Sequence, residues 1–167
     1  DRLCNQLIEN HADFSNTALI GIQPRGILLS DRIYQRLAQL QKNISIDYGK
    51  IDPAFYRDDF RRREKLITPA DTDINFTIEG KNIILIDDVL YTGRTVRAAM
   101  DALLDFGRPD KVGLLVLIDR RFSRHLPIQA DYVGKTVDAI TSERVRVEWK
   151  QIDGADKIWI LSANDKR

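Results

Sequence analysis

The sequence of 167 residues contains a single cysteine, Cys4, and no apolar run that approaches the length of a membrane-spanning helix. One cysteine excludes an internal disulfide framework and fits a reducing compartment such as the cytoplasm. No signal peptide is visible, and no membrane partner is expected. Basic and acidic residues nearly cancel, 26 against 25, so the overall charge favours neither nucleic acid nor acidic ligands.

Two common nucleotide-binding motifs are also missing. The sequence has no G-x-x-x-x-G-K-[ST] pattern, which excludes a P-loop. Gly93 stands alone rather than in a G-x-G-x-x-G pattern, which excludes a dinucleotide fingerprint. A phosphate site in this chain must therefore be of another kind.

The order of apolar patterns indicates an α/β fold. The predicted elements are helices at 1–11, 27–40 and 96–104 and strands at 18–22, 44–51, 83–86, 112–118, 144–149 and 157–161. Strand–helix–strand alternation predicts a mostly parallel, twisted sheet flanked by helices. The helix after residue 95 has an apolar stripe for the core, made of Val96, Ala99, Met100, Leu103 and Leu104.

The chain length predicts one domain over residues 1–167. Inside it, residues from about 55 to 80 lack sustained periodicity and carry the basic run 61–65. A stretch this long without periodicity in a compact domain is typical of a functional lid over a site or of a disordered loop.

The most informative stretch is residues 83–95, where a buried strand precedes two carboxylates and a small, hydroxylated loop. Asp87 and Asp88 are predicted to close that strand. In open α/β sheets ligands bind at the carboxyl ends of the strands, and a loop that enters a helix there suits a phosphate. Two negative charges beside a phosphate site need a ligand that satisfies them, such as vicinal hydroxyls or a bridging Mg²⁺. The pattern therefore indicates a phosphorylated ribose with a metal.

These residues resemble the phosphoribosyl pyrophosphate (PRPP) signature of type I phosphoribosyltransferases. The longer run 87–103, followed by Gly107-Arg108-Pro109, resembles the PyrR family of pyrimidine-operon attenuation regulators that are also uracil phosphoribosyltransferases. Further matches, in the family's order, lie at 21–27, 56–59 and 126–135. The resemblance implies a type I phosphoribosyltransferase fold with a flexible hood over the site.

The resemblance also implies roles for individual residues. Asp87 and Asp88 are expected to contact the ribose hydroxyls and to hold Mg²⁺ only indirectly, through the ribose. The loop expected to wrap the 5-phosphate consists of Leu90, Tyr91, Thr92, Gly93, Arg94 and Thr95. The pyrophosphate loop follows the first strand and contains Pro24, Arg25 and Gly26. Arg25, together with Arg57 of the hood, is expected to act on the leaving pyrophosphate.

The segment after the strand at 112–118 is where this family recognises the base. Uracil recognition is expected around Asp119, Arg120 and Arg121, and the candidate RNA contacts are Arg124, His125 and Lys135. This segment departs from the family pattern, because one extra residue separates Asp119 from Pro127 and Gln129 replaces a commonly basic residue. A lost arginine removes a bidentate contact and a positive charge from an RNA surface.

Two alternatives stay open beside a Mg²⁺-dependent uracil phosphoribosyltransferase. The chain can be a regulator that senses UMP or UTP and binds leader RNA with little catalysis. It can also be a phosphoribosyltransferase for another base such as hypoxanthine, although the match at 126–135 argues against that. The resemblance further implies a homodimer or a higher homo-oligomer.

Overall fold

The order of helices and strands follows the alternation read from the sequence. The computed structural model describes residues 1–42, 44–57, 72–140 and 142–162. The elements are α1 (Arg2–His11), β1 (Thr17–Ile22), α2 (Gly26–Leu40), β2 (Asp47–Ile51), a first 3₁₀ turn (Ala54–Tyr56), β3 (Asn82–Leu90), α3 (Arg94–Leu103), a second 3₁₀ turn (Leu104–Phe106), β4 (Lys111–Arg121), β5 (Tyr132–Asp138), β6 (Arg144–Glu148), α4 (Lys150–Asp153) and β7 (Lys157–Leu161). Within these ranges no helix is long and apolar enough to cross a bilayer.

Five strands form one parallel sheet in the order β2-β1-β3-β4-β5. In its central register, Ile20 of β1 lies beside Leu85 of β3, which lies beside Leu114 of β4. The remaining two strands, β6 and β7, form a separate antiparallel hairpin. The predicted mostly parallel α/β fold is confirmed, and strand order reverses next to β1, where such sheets bind ligands.

The core lies on both faces of the parallel sheet because alternate strand residues point to opposite sides. On one side, Leu19, Ile84 and Ile86 pack with apolar residues of α1 and α2. On the other side, Ile20 and Leu85 pack with apolar residues of α3. Both faces of the central strands are thus covered by helices, which explains why β3 is a continuous apolar run.

The structure adds to the sequence prediction at two elements. No strand was predicted at Tyr132–Asp138, yet β5 pairs with β4 as an edge strand, where Lys135 and Thr136 are exposed. The amphipathic stripe predicted after residue 95 lies only partly in the core, because Met100 is 41% and Leu104 is 63% exposed. The single-domain arrangement stays a prediction, and residues 58–71 of the predicted hood, with the basic run 61–65, lie outside the described residues.

Candidate active site

The two carboxylates predicted to bind ribose lie near the carboxyl end of β3, the middle strand of the sheet. Asp87 and Asp88 are each only 8% exposed, and the backbone N–H of Asp88 donates to Asp87 Oδ1 over 2.9 Å. The prediction that they close the strand was wrong, because Val89 and Leu90 continue the pairing with β4. The pair is therefore held inside a rigid element rather than in a loop.

Burial dominates the electrostatics of this pair. Burial raises the pKa of Asp87 well above its ordinary value, and the charge of Asp88 raises it further, while the positive charge of Arg57 acts against this. Burial also raises the pKa of Asp88, and Arg25 acts against it. A buried carboxylate is stabilised by hydrogen-bond donors or by a cation. The pair is thus poised to accept ribose hydroxyls or a metal-bearing ligand.

The donor set around the pair fits Mg²⁺ only in an indirect way. Among the described residues, no group of three or more His, Cys, Asp or Glu side chains is arranged to hold a metal ion. Mg²⁺ commonly binds one or two carboxylates and takes its remaining ligands from substrate oxygens and water. Asp87 and Asp88 fit that pattern, with a phosphorylated sugar supplying most of the coordination.

The loop after β1 can lie close to the acid pair because the first residue of α2, Gly26, has no side chain. A Cβ atom on Gly26 would lie 2.5 Å from the carbonyl oxygen of Ile86 and 3.1 Å from Asp87 Oδ1, so a side chain is excluded there. The peptide bond between Gln23 and Pro24 is cis. The positive end of the α2 dipole consequently lies beside the two carboxylates, in reach of an anionic ligand.

Arg25 connects three parts of the molecule. Its Nε lies 3.4 Å from Asp88 Oδ2, and an Nη atom lies 3.2 Å from Asp153 Oδ2. The same Nη donates to the carbonyl oxygen of Val147 on β6. Arg25 was predicted to contact pyrophosphate, and its guanidinium here bridges Asp88 and the β6–β7 hairpin.

The predicted phosphate loop enters α3 through Gly93, which has a positive φ of 88°. The first hydrogen bond of the helix is donated by the Arg97 N–H to the Gly93 carbonyl. The N–H groups that precede Arg97 at the start of the helix have no helical carbonyl to bind. The carbonyl of Thr92 accepts the N–H groups of His125 and Leu126 over 3.0 and 3.3 Å. The segment after β4 therefore holds the loop in place while its amides remain at the helix start.

Two members of the predicted phosphate loop take other places. The side chain of Leu90 is buried in the core beside α3, and Leu90 is the last residue of β3. The ring of Tyr91 lies under the guanidinium of Arg120, with 4.2 Å between the ring centroid and Cζ. The side chain of Tyr91 thus lies in the region predicted to bind the base, while the phosphate contacts of residues 90–95 stay a prediction.

Of the three residues predicted around the base, Arg120 lines the cavity described below. Arg120 is 3% exposed, and one Nη donates to the carbonyl of Ile140 over 2.8 Å. Its Nε is buried and has no hydrogen-bond partner among the described residues. An unsatisfied buried donor costs free energy, so a ligand with a suitably placed acceptor would be stabilised there.

Asp119 and Arg121 point to the other face of β4 and make ion pairs of their own. Arg121 binds Asp138 through two contacts of 2.6 and 2.7 Å, and this hydrogen bonding lowers the pKa of Asp138. Asp119 pairs with Arg124. Because the side chains of Asp119 and Arg121 are engaged in these ion pairs, only their backbone groups remain for the predicted contacts to a base.

The three candidate RNA contacts have different local surroundings. The guanidinium of Arg124, besides its pair with Asp119, donates to backbone carbonyls of Leu90, Tyr91, Arg120 and Ile128. His125 lies at the phosphate loop, with Nδ1 3.5 Å from Arg94 Nε. Lys135 is exposed on β5. Arg124 therefore braces the phosphate loop, and Lys135 presents its charge to solvent.

One cavity joins the residues predicted for ribose, pyrophosphate and base. Its volume is about 470 Å³, and its lining includes Arg25, Asp88, Val89, Tyr91, Arg120, Arg144, Arg146 and Val147. Four arginines against one carboxylate make its wall strongly positive, as a phosphorylated ligand requires. A larger cavity of about 550 Å³ lies between α1, α2 and the hairpin and contains none of the predicted site residues.

Sequence reasoning missed the contribution of the β6–β7 hairpin. Arg144 and Arg146 line the cavity, and Arg146 lies 3.7 Å from Asp153, which in turn binds Arg25. The backbone N–H of Trp149 also donates to Asp153 over 2.8 Å, and these partners lower the pKa of Asp153. The sequence predicted two late strands at 144–149 and 157–161, but their pattern did not indicate that they line the cavity.

Comparison with known proteins identifies the family of the chain. A family model described as a phosphoribosyl transferase domain matches residues 1–151. The bifunctional protein pyrR of Enterococcus faecalis is 45% identical over 164 residues, covering 98% of this chain and 90% of that protein. The bifunctional protein PyrR of Listeria monocytogenes is 46% identical over 167 residues, covering 98% and 90%. That of a Picosynechococcus species is 42% identical over 160 residues, covering 96% and 89%.

Solved structures of low sequence identity share the fold. A hypoxanthine phosphoribosyltransferase from Staphylococcus aureus has a TM-score of 0.68 at 18% identity, covering 98% of this chain and 85% of that one. The hypoxanthine phosphoribosyltransferase of Trypanosoma cruzi has a TM-score of 0.68 at 17% identity, covering 96% and 88%. These similarities confirm the type I phosphoribosyltransferase fold.

Proposed function

Because the chain belongs to the PyrR family of phosphoribosyltransferases, we propose that it joins uracil to PRPP, giving UMP and pyrophosphate. The observation that carries this proposal is the arginine-lined cavity in which Asp88, Arg25 and the buried Arg120 meet. A reducing cytoplasm, the location we propose, suits the free and buried thiol of Cys4.

The chain's own residues supply binding, alignment and charge. Asp87 and Asp88 accept hydrogen bonds from the ribose hydroxyls, and the amides of residues 92–95 bind the 5-phosphate at the start of α3. Asp87 and Asp88 would hold Mg²⁺ indirectly, through the ribose, and the metal would offset the negative charge of PRPP. Arg25 and Arg57 stabilise the charge that develops on the departing pyrophosphate.

The base subsite follows from Arg120 and Tyr91. Uracil has carbonyl oxygens that accept hydrogen bonds. Arg120 lines the cavity, and its Nε is a buried donor with no partner among the described residues. The guanidinium is fixed over the Tyr91 ring and by the Ile140 carbonyl, so it is oriented before the base arrives. A fixed donor costs little reorganisation in the transition state.

The hairpin gives Arg25 a partner while no pyrophosphate is bound. Asp153 holds the guanidinium 3.2 Å away, at a place where an anionic ligand would compete with it. Val147 and Arg146 of β6 close the same side of the cavity. Closure of this kind excludes water from an oxocarbenium-like ribose that water would otherwise capture.

The direct test is UMP formation from PRPP, Mg²⁺ and uracil, with hypoxanthine, guanine and orotate as competing bases. We expect turnover with uracil alone. The Asp88→Asn variant should lose activity by about 100-fold or more, because it removes a charge that acts on the ribose. Turnover with hypoxanthine instead would assign another base, and a near wild-type rate for Asp88→Asn would remove the carboxylate from the mechanism.

A second function, binding of pyrimidine-operon leader RNA under control of UMP or UTP, is favoured by the bifunctional names of the relatives. Lys135 is its best candidate contact, since its side chain is exposed on β5. We expect Lys135→Ala to weaken RNA binding and to leave uracil turnover unchanged. The matched control is Lys111→Ala, which replaces an exposed lysine at the start of the neighbouring strand β4. Equal RNA affinity in both variants would remove Lys135 from the RNA surface.

A further inference from the structure

The first 3₁₀ turn (Ala54–Tyr56) leads directly into Arg57, one of the two arginines proposed to act on the pyrophosphate. The beginning of this turn is fixed by two contacts of Asp52. The Asp52 carboxylate accepts the backbone N–H of Ala54 over 2.9 Å, and the Asp52 backbone N–H donates to Thr72 Oγ1 over 3.1 Å. The turn therefore starts from a fixed point beside the end of β2.

The end of the same turn is held at a different element, the carboxyl end of α3. The turn packs against α3, and the Tyr56 hydroxyl donates to Asp105 Oδ2 in the second 3₁₀ turn, which continues that helix. A negative charge just beyond the carboxyl end of a helix is disfavoured by the helix dipole. The hydrogen bond from Tyr56 offsets that cost, because a carboxylate is a strong acceptor.

The helix α3 connects this contact to the phosphate loop. It has ten residues and is about 15 Å long, with residues 92–95 of the loop at its amino end and Asp105 beyond its carboxyl end. Its apolar residues pack against the sheet, so the helix is a fixed element. The position of Arg57 is consequently tied to residues 92–95 through α3.

PRPP is a ligand for which this connection matters. It carries its 5-phosphate and its pyrophosphate on two different carbons of the ribose, so one molecule has to meet the phosphate loop and the pyrophosphate arginines at the same time. Arg57 also acts on the acid pair between them, since its charge opposes the burial that raises the pKa of Asp87. UMP carries only the 5-phosphate, and its binding therefore makes no demand on Arg57.

We propose that Asp105 is a positioning residue for the pyrophosphate subsite. By accepting the Tyr56 hydroxyl, it fixes the turn that leads into Arg57 and so sets the place of Arg57 relative to the phosphate loop at the other end of α3. The role of Asp105 is indirect, because it acts through Tyr56 and Arg57. The inference rests on the proposed function in one respect, namely that Arg57 acts on the pyrophosphate of PRPP.

Titration calorimetry with PRPP and with UMP, each in the presence of Mg²⁺, tests the proposal. Asp105→Ala and Tyr56→Phe should each weaken PRPP binding by about fivefold, since the effect cannot exceed the free energy of one exposed hydrogen bond. Both should leave UMP affinity unchanged. The double variant should bind PRPP as well as either single variant, because both changes remove the same contact. The matched control is Asp101→Ala, which removes another exposed carboxylate of α3 and should leave both affinities unchanged.

Two further variants separate positioning from a general loss of structure. Asp105→Asn keeps an oxygen that can accept the Tyr56 hydroxyl, and it should retain most of the PRPP affinity that Asp105→Ala loses. In an Arg57→Ala background, Asp105→Ala should have no additional effect on PRPP binding, because the side chain that it positions is absent. Circular dichroism spectra equal to that of the wild type show that the variants fold.

The binding results distinguish the positioning role from the proposed reaction. Unchanged PRPP affinity in Asp105→Ala, an equal loss for PRPP and UMP, or a further loss in the Arg57→Ala background would each overturn the positioning role. The expected binding pattern without turnover of uracil would support the positioning role and overturn the proposed reaction. Uracil turnover together with unchanged PRPP affinity in Asp105→Ala would do the reverse.

Discussion

The buried acid pair shows how a single residue can favour function over stability. Between the ordinary carboxyl pKa and the raised pKa of Asp87, the native protein binds more protons than the unfolded chain, so its stability falls as the pH rises. Asp87→Asn removes that charge and keeps an oxygen for the Asp88 N–H. We expect the variant to gain stability over the wild type as the pH rises from about 4 to 7 while its turnover falls by about 100-fold or more.

Urea denaturation at both pH values measures this effect, with Asp110→Asn as a control at an exposed site. The control should show the same change in stability between the two pH values as the wild type. If Asp87→Asn were less stable than the wild type at neutral pH, the carboxylate would be a stabilising group. The inference that the acid pair costs stability and favours ligand binding would then be wrong.

His11 gives an opposite pH dependence at the residue scale. Burial lowers its pKa and the charge of Lys111 lowers it further, while its ring nitrogens lie 3.0 Å from the Tyr132 hydroxyl and 3.1 Å from Thr17 Oγ1. The unfolded chain therefore takes up a proton first, and native stability is lost as the pH falls below about 6.5. We expect the melting temperature of His11→Asn to fall less between about pH 7 and pH 5 than the melting temperature of the wild type. Parallel losses in both proteins would contradict this.

At the scale of elements, the phosphate loop depends on one left-handed glycine. Gly93→Ala introduces a Cβ at a φ of 88° and 3.3 Å from the Ile128 side chain. Gly154→Ala is the matched control, because Gly154 has a φ of 80° and nothing within 4 Å of the added Cβ. Both variants should lose about 1–2 kcal/mol from backbone strain. Only Gly93→Ala should also weaken UMP binding in titration calorimetry, and equal UMP affinity in the two variants would separate the loop from the phosphate.

The elements differ in how far the sequence could predict them. β3 was predictable because a strand buried on both faces must be a continuous apolar run. β5 was not, because an edge strand needs no such run, and Tyr132–Asp138 carries three polar or charged residues that are exposed. On α3, spacing alone could not tell which apolar residues meet the sheet, since Met100 and Leu104 have the same periodicity as their buried neighbours.

At the scale of the whole molecule, the location of the candidate site residues was easiest to predict where they are contiguous in sequence. Asp87, Asp88 and the loop to Thr95 are contiguous, so their common location follows from one strand–loop–helix unit. Arg25 contacts Asp153 across more than a hundred residues of chain, and Arg120 takes its place from a ring and a carbonyl supplied by other segments. Such contacts depend on the packing of the hairpin on the sheet, which no local pattern encodes.

Ligand binding should stabilise the whole molecule in a way that reveals where the metal is held. Only two carboxylates face the ribose subsite among the described residues, so Mg²⁺ alone should bind weakly and barely change the melting temperature. PRPP with Mg²⁺ at about 100 times its Kd should add roughly 2.7 kcal/mol, or about 5–10 °C for a chain of this length. Differential scanning calorimetry with Mg²⁺, PRPP and both together measures the three shifts. If Mg²⁺ alone gave the full shift, the protein would hold the metal by itself, and the substrate-borne role inferred from the acid pair would be wrong.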